Sequence, residues 1–337
     1  MGGVRHLPTG NIVYGELPRG CQLCQRGLKT VVFLTGLCPA NCFYCPLSRQ
    51  RRNRDVMYVN EKPVDTSQPP PRAAQKVLSE TILSASLGAG ITGGDPLSKP
   101  QRTIWLIKLL KEKLGQNFHI HLYTSAIQLT PSLAKRLADA GLDELRIHAP
   151  PSILRDRLRT AVKTGGFTVG LEYPALPNGA EQLKNIIRIA HEEGASFVNI
   201  NELEFTETNA AALKNMGYTL SPDYKTATGS RQAALQALTW AAQQKLPITV
   251  HFCPAHFKDH YQTGLRLYRR AQLTAQPHQL VTDDGTTLEV EYPGNKYPGI
   301  YPPHHAHIAL AHTTGGTLTE RSAGHRNLIV TREKIER

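Results

Sequence analysis

The sequence predicts an α/β fold on a parallel sheet, and two observations carry that reading. Short apolar runs recur between residues 30 and 253, and each gap between them has room for a helix with one apolar face. The runs are Thr30–Thr35, Gly90–Thr92, Phe118–Tyr123, Glu144–His148, Thr168–Glu172, Phe197–Asn201 and Ile248–Cys253. Strand–helix units at this regularity build a parallel sheet, either rolled into a barrel or left open and doubly wound. With 337 residues the chain has room for one domain of about 250 residues and a smaller one.

Helices are expected over Pro71–Leu87, Lys99–Leu114, Thr130–Ala140, Ser152–Lys163, Ala180–Glu193, Glu207–Met216 and Ser230–Gln244. The third starts on Thr130 followed by Pro131, whose missing N–H costs nothing in a first turn, and Gly141 closes it. In the fifth, Leu183, Ile186, Ile187 and Ala190 fall on one face. Residues 1–27 read as an irregular arm, and residues 28–264 as the α/β domain. After about residue 265 the texture changes. Leu288, Val290 and Tyr292 alternate behind the turn signal Asp283-Asp284-Gly285. Pro298, Pro302 and Pro303 interrupt, and a Gly/Thr-rich stretch leads to a strand at Asn327–Thr331. Residues 265–337 are therefore expected to form a small β-containing appendage.

The formal charge is +12, from 39 Lys and Arg against 27 Asp and Glu, which favours an anionic partner. The N-terminus lacks the apolar region of a signal peptide, and no window approaches 18 uncharged apolar residues. No membrane partner and a cytoplasmic location are expected. A chain this long does not need its six cysteines as disulfide staples. No Walker loop follows a strand, and no Ser–His–Asp arrangement suggests a hydrolase.

Three of those cysteines, Cys38, Cys42 and Cys45, lie in Gly36-Leu-Cys-Pro-Ala-Asn-Cys-Phe-Tyr-Cys-Pro46 with the spacing C-x3-C-x2-C. A tetrahedral structural zinc site asks for four ligands. Three thiolates on one short loop suit a [4Fe–4S] cube whose fourth iron stays open for a small molecule. The run resembles the cluster loop of the radical S-adenosylmethionine (radical SAM) superfamily, with Tyr44 in the aromatic place. Ile91-Thr-Gly-Gly-Asp-Pro-Leu97 resembles that family's Gly-Gly-Glu-Pro segment, with Asp95 standing for Glu. The resemblance covers most of residues 28–260 and is nearest to the activating-enzyme-like branch. It implies that S-adenosylmethionine chelates the open iron and that an electron donor reduces the cluster. Cleavage then gives methionine and a 5′-deoxyadenosyl radical. It also implies a complete or partial (β/α) barrel of six or more parallel strands.

A barrel puts its chemistry at the carboxyl ends of its strands. Cys38, Gly93–Asp95, Ser125, His148, Glu172, Asn199, Asn201, Glu202 and Cys253 all fall there. By resemblance, Thr92, Gly93, Gly94 and Asp95 bind the methionyl amine, the two glycines admitting backbone close to a ligand. Tyr44 is placed against the adenine. Ser125 and Glu172 are candidates for the ribose or adenine side, and Asn201 for cofactor or substrate. His148 and Glu202 are candidate acid/base groups toward substrate.

Cys21 and Cys24 form a C-x2-C pair in a glycine-flanked, polar arm, and Cys253 ends the last strand. With His256, or less directly His251, they admit a zinc site; the three thiolates alone admit an auxiliary [4Fe–4S] cluster. A pair with no joint site is the third reading. Arg49, Arg51, Arg52 and Arg54 follow the cluster loop. Arg266, Arg269 and Arg270 open the appendage, with Lys296, Arg321, Arg326, Arg332, Lys334 and Arg337 beyond. Such a distribution offers a track for phosphates, and a tRNA or rRNA base is the expected substrate. The alternatives are an activator or modifier of a protein or peptide, and an enzyme for a phosphorylated small molecule or coenzyme precursor. A non-catalytic metal protein binding nucleic acid would leave Thr92–Pro96 unexplained, and no cobalamin domain is expected. His304, His305 and His307 form a His-His-x-His run expected near a strand, where i and i+2 share a face.

Overall fold

The polar and apolar residues of the central strands alternate, and that alternation organises the molecule. The computed structural model describes residues 3–66, 70–292, 300–301, 303, 305–324 and 328–335. The expectations placed on Lys296, Pro298, Pro302, His304, Arg326, Asn327 and Arg337 lie outside the described residues.

The chain opens with strands β1 (Val4–His6) and β2 (Ile12–Tyr14), helix α1 (Arg19–Gln25), β3 (Lys29–Phe33), β4 (Met57–Val59) and β5 (Lys62–Val64). Strands and helices then alternate: α2 (Pro70–Leu83), β6 (Gly88–Thr92), α3 (Pro100–Leu114), β7 (His119–Thr124), α4 (Pro131–Asp139) and β8 (Glu144–Ile147). They continue as α5 (Leu154–Thr164), β9 (Thr168–Ala175), α6 (Ala180–Glu192), β10 (Phe197–Glu202), α7 (Ala210–Asn215), α8 (Ser230–Gln243) and β11 (Thr249–Cys253). All seven expected strands and seven expected helices are present, with ends shifted by a few residues. Thr130 caps α4 as expected, its hydroxyl accepting the Leu133 N–H at 3.2 Å.

The main sheet runs β1-β2-β11-β10-β9-β8-β7-β6-β3-β4-β5. Its seven central strands, from β11 to β3, are parallel neighbours. Both flanks are antiparallel hairpins: β2 on β11 and β4 on β3. Among the described residues no pairing joins β1 to β5, so the sheet is open, consistent with a partial (β/α) barrel and not a complete one. The hairpins were unforeseen because each of their strands is only three residues long. Residues 1–27 are likewise not an irregular arm where described, since they supply a hairpin of the sheet and a buried helix.

On one face, Ile91, Ile120, Leu122, Leu145, Ile147, Leu171, Val198, Ile200, Val250 and Phe252 join one aliphatic core with the helices. Because successive side chains of a strand point to opposite faces, Lys29, His121, Tyr123, Glu144, Arg146, Glu172, Asn199 and His251 gather on the other. Register brings them side by side: Tyr123 opposite Arg146, and Glu172, Asn199 and His251 in one row. Parallel strands buried on both faces ordinarily read as continuous apolar runs. Here one buried face is polar.

Beyond this body, α9 (Ala255–Phe257), a π-helical segment over Lys258–Gly264 and α10 (Leu265–Thr274) lead to β12 (Leu280–Val281), β13 (Thr286–Glu291), β14 (Ile300–Tyr301), α11 (His305–Thr314), β15 (Gly316–Ser322) and β16 (Ile329–Ile335). These five strands form a separate antiparallel sheet. His305 and His307 start a helix, not a strand, so i and i+2 share no face there. The alanines and leucine of His305–Thr314 favour that helix.

Candidate active site

A cavity of about 470 Å³ opens against the polar face of the sheet, and all six cysteines line it. Cys38, Cys42 and Cys45 stand on the loop after β3, at the carboxyl ends of the strands. Cys21 and Cys24 stand on α1, beside residues from the middle of β7 and β8.

The first trio is held by backbone. Gly94 N–H donates to Thr35 O at 2.8 Å and Asp95 N–H to Leu37 O at 2.7 Å, tying the end of β6 to the cysteine loop. Gly36 is tied to Arg54 and Asn53 (2.8 and 2.9 Å), and Cys45 N–H turns back to Cys42 O at 3.2 Å. A Cβ on Gly93, whose φ is +151°, would lie 2.2 Å from Thr35 O, and one on Gly94 2.5 Å from Leu37 O. The two glycines are thus required by the loop, whose backbone comes as close as a ligand was expected to. Both still line the cavity, as does Thr92.

Asp95 is fully buried and does not line the cavity. Its carboxylate accepts from Leu97 N (2.9 Å), Thr124 Oγ1 (2.8 Å), Ser125 N (3.1 Å) and, more closely, Ser125 Oγ. Those four donors use its acceptor capacity. Burial raises its pKa, and the four donors offset that only in part. The expectation that Asp95 meets the methionyl amine is corrected: it fixes Ser125, which does line the cavity.

Tyr44 and His148 form the next element. His148 Nδ1 donates to Glu172 O at 2.7 Å, which leaves Nε2 to accept from the Tyr44 hydroxyl at 2.8 Å. The imidazole also lies against the Tyr173 ring, 4.6 Å between centroids, with Cys42 Sγ 3.9 Å from Nε2. Burial holds His148 below the usual imidazole range. Both nitrogens are committed, so His148 does not stand as a free acid or base. Glu202 lines the cavity, with Oε2 accepting Ala255 N–H at 2.9 Å.

Deeper, Arg146 is fully buried and joins Glu144 (2.5 Å), Glu172 (3.2 Å) and Cys21 Sγ (3.2 Å). Glu172 also accepts from Asn199 (3.0 Å) and Asn201 (2.7 Å), so the two expected cofactor-side residues are bonded to each other. Burial works against the Glu144 charge, yet Arg146 and His119 hold its carboxyl down at about 2. Burial takes Lys29, whose amine meets the His121 ring, down to about 8. Arg146, Lys29, His121 and Asn199 were not singled out as one site. Their signal was the alternation of polar residues within strands otherwise patterned for a core.

Cys21 and Cys24 are buried, contrary to their expected place in a polar arm. Cys24 packs with Cys253 and Phe257. His256 is exposed and outside the cavity, its ring against Gly10. His251 lines the cavity with its nitrogens 2.7 and 2.8 Å from the amide oxygens of Asn199 and Asn11. The zinc reading with His256 as fourth ligand therefore fails. Among the described residues no three His, Cys, Asp or Glu side chains are drawn together as a metal cage, at either trio. The donor set at the first trio still fits: three soft thiols on one loop, facing a cavity with room for a ligand.

The sequence model of the Radical SAM superfamily matches residues 32–201, from β3 to β10. The chain belongs to the radical SAM superfamily. A putative glycyl-radical enzyme activating enzyme of Methanocaldococcus jannaschii is 36% identical over 288 residues, covering 82% of this chain and 73% of that protein. A PqqA peptide cyclase of Bradyrhizobium diazoefficiens is 25% identical over 53% of this chain, which spans 47% of the cyclase. The structure of Streptococcus suis SuiB bound to precursor peptide SuiA aligns at a TM-score of 0.49 and 13% identity, over 70% of this chain and 51% of that one. This radical SAM chain is thus an enzyme related to the activating-enzyme-like branch, with a [4Fe–4S] cluster and S-adenosylmethionine as its cofactors.

The expectation of an anionic RNA partner is overturned. The relatives bear the names of an activator of glycyl-radical enzymes and of peptide cyclases. Five of the arginines expected to form a phosphate track are also engaged within the protein. Arg51 lies over the rings of Tyr58 and Phe33, at 4.3 and 5.3 Å. Arg266 pairs with Glu61, Arg270 with Glu80, and Arg321 and Arg332 with Glu291. No helix among the described residues is long and apolar enough to cross a membrane.

Proposed function

We propose that this enzyme activates or modifies a protein or peptide by abstracting a hydrogen atom from it. The observation that carries this reading is the 36% identity, across most of both chains, to a protein named as a putative glycyl-radical enzyme activating enzyme. Cys38, Cys42 and Cys45 are assigned as the ligands of the [4Fe–4S] cluster, which when reduced supplies the electron that cleaves S-adenosylmethionine. Thr92, Gly93 and Gly94 line the methionyl side, and Ser125, fixed by Asp95, presents its hydroxyl next to them. Tyr44, pinned by His148, forms the wall beside Cys42. Glu172 and its partners Asn199 and Asn201 line the same cavity and give it a polar wall.

The test is transfer of deuterium. The reduced enzyme is incubated anaerobically with S-adenosylmethionine and extract from source cells grown on deuterated medium, separated into protein, RNA and small-molecule fractions. Deuterium should enter 5′-deoxyadenosine with the protein fraction. Transfer from the small-molecule or RNA fraction alone would overturn the reading and leave the radical chemistry standing.

A further inference from the structure

The proposed function uses three of the six cysteines and leaves the other three unexplained. Cys21, Cys24 and Cys253 are 5%, 9% and 9% exposed and line the same cavity as the first trio. A cysteine that merely fills space behaves as a small hydrophobe among apolar neighbours. Cys21 has different surroundings. Its sulfur accepts from Arg146 Nη2 at 3.2 Å and Asn199 Nδ2 at 3.3 Å. A guanidinium and an amide N–H are partners for a sulfur that carries negative charge.

The seat for that sulfur is built into the chain. Gly20 precedes Cys21, and a Cβ there would lie 2.4 Å from His121 Nδ1 and 2.8 Å from Arg146 Nη2. Only a glycine lets α1 sink this far onto the polar face. One helical turn on, Cys24 packs with Cys253 and Phe257, which brings in a thiol from the end of β11. Two chain segments thus converge on one end of the cavity with three thiols.

We propose that Cys21, Cys24 and Cys253 hold a second iron–sulfur cluster at the α1 end of the cavity, with Arg146 and Asn199 donating to the Cys21 sulfur. The donor count separates this from a structural zinc ion, which asks for four protein ligands. His256 is turned out to solvent, and both His251 nitrogens are engaged by asparagines. Three thiolates with an open position suit an iron–sulfur cluster, and hydrogen bonds to its sulfurs tune such a centre. The inference stands apart from the nature of the substrate.

The experiment isolates the second trio by removing the first. The full chain carrying Cys38→Ala, Cys42→Ala and Cys45→Ala is reconstituted anaerobically and assayed for iron, acid-labile sulfide, zinc and visible charge-transfer absorption. It should retain equal iron and sulfide, about four of each per chain. Adding Cys21→Ala and Cys24→Ala should remove them, and so should adding Cys253→Ala alone. Circular dichroism checks each fold, and the Cys253→Ala chain decides if the helix variant does not fold. A folded triple variant with no iron and sulfide, or with zinc alone, would overturn the proposal. So would iron and sulfide unchanged by the added substitutions.

Discussion

Asp95, at the end of β6, holds Ser125, just beyond β7, by both its backbone N–H (3.1 Å) and its hydroxyl. One carboxylate therefore links two neighbouring strand ends, and its own N–H anchors the cysteine loop at Leu37 O. The residue that looked like a ligand-binding acid is the fastener beneath the cavity wall.

Asp95→Ala should leave Thr124, Ser125 and Leu97 with unpaired buried donors. Each such group costs about 1–3 kcal/mol, so chemical denaturation should show a loss of several kcal/mol. Asp95→Glu keeps the charge but adds a methylene to a fully buried site, and overpacking of this kind costs about 1–3 kcal/mol. The Glu variant should be destabilised and also raise the KM for S-adenosylmethionine. Unchanged stability in both would show that the carboxylate is not the fastener.

Gly94→Ala tests the loop contact itself. The new Cβ would meet Leu37 O at 2.5 Å and Gly36 O at 2.6 Å, both backbone atoms that cannot rotate away. Iron content after anaerobic reconstitution should fall several-fold while far-UV circular dichroism stays near wild type. Full iron content would mean that the loop adjusts freely.

Tyr44→Phe removes the donor to His148 Nε2, a half-buried acceptor at the cavity wall, at a cost of about 1 kcal/mol. His148→Ala should cost more, because it also opens a void against Tyr173 and frees the Tyr44 ring. Both variants keep all three loop thiols. Formation of 5′-deoxyadenosine should drop in both, His148→Ala the more, with thermal unfolding measured beside it. Equal rates in the two variants and wild type would remove His148 from the positioning of Tyr44.

How much of this was legible in the sequence follows from the physics of each part. The seven central strands and their helices were readable because apolar periodicity is local and long enough to repeat. The first cysteine trio was readable because its three residues lie close together on one loop. The hairpins over 4–14 and 57–64 were not, since three-residue strands gain their definition from the neighbour they pair with. The burial of Cys21 and Cys24 depends on Gly20 passing His121 and Arg146, a contact across more than 100 residues that no local pattern encodes. The basic runs misled for a similar reason: Arg266 and Arg270 look like free charge until Glu61 and Glu80 fold against them.

The last prediction concerns pH. Glu144 is buried with Arg146, and its carboxyl is held at about 2 against an ordinary 4.5. A depressed folded pKa means that the unfolded chain takes up the proton first as pH falls. The stability from this pair is therefore complete above about 4.5 and is lost as pH drops through 4.5 toward 2. A shift of this size corresponds to on the order of 3 kcal/mol. In wild type the free energy of unfolding should fall across that window more steeply than in Glu144→Gln. The glutamine variant should also be less stable at pH 7, since it leaves the buried Arg146 with Glu172 as its remaining carboxylate partner. Urea unfolding at pH 3, 5 and 7 on both chains measures it. Parallel pH profiles would show that Glu144 does not carry this stability.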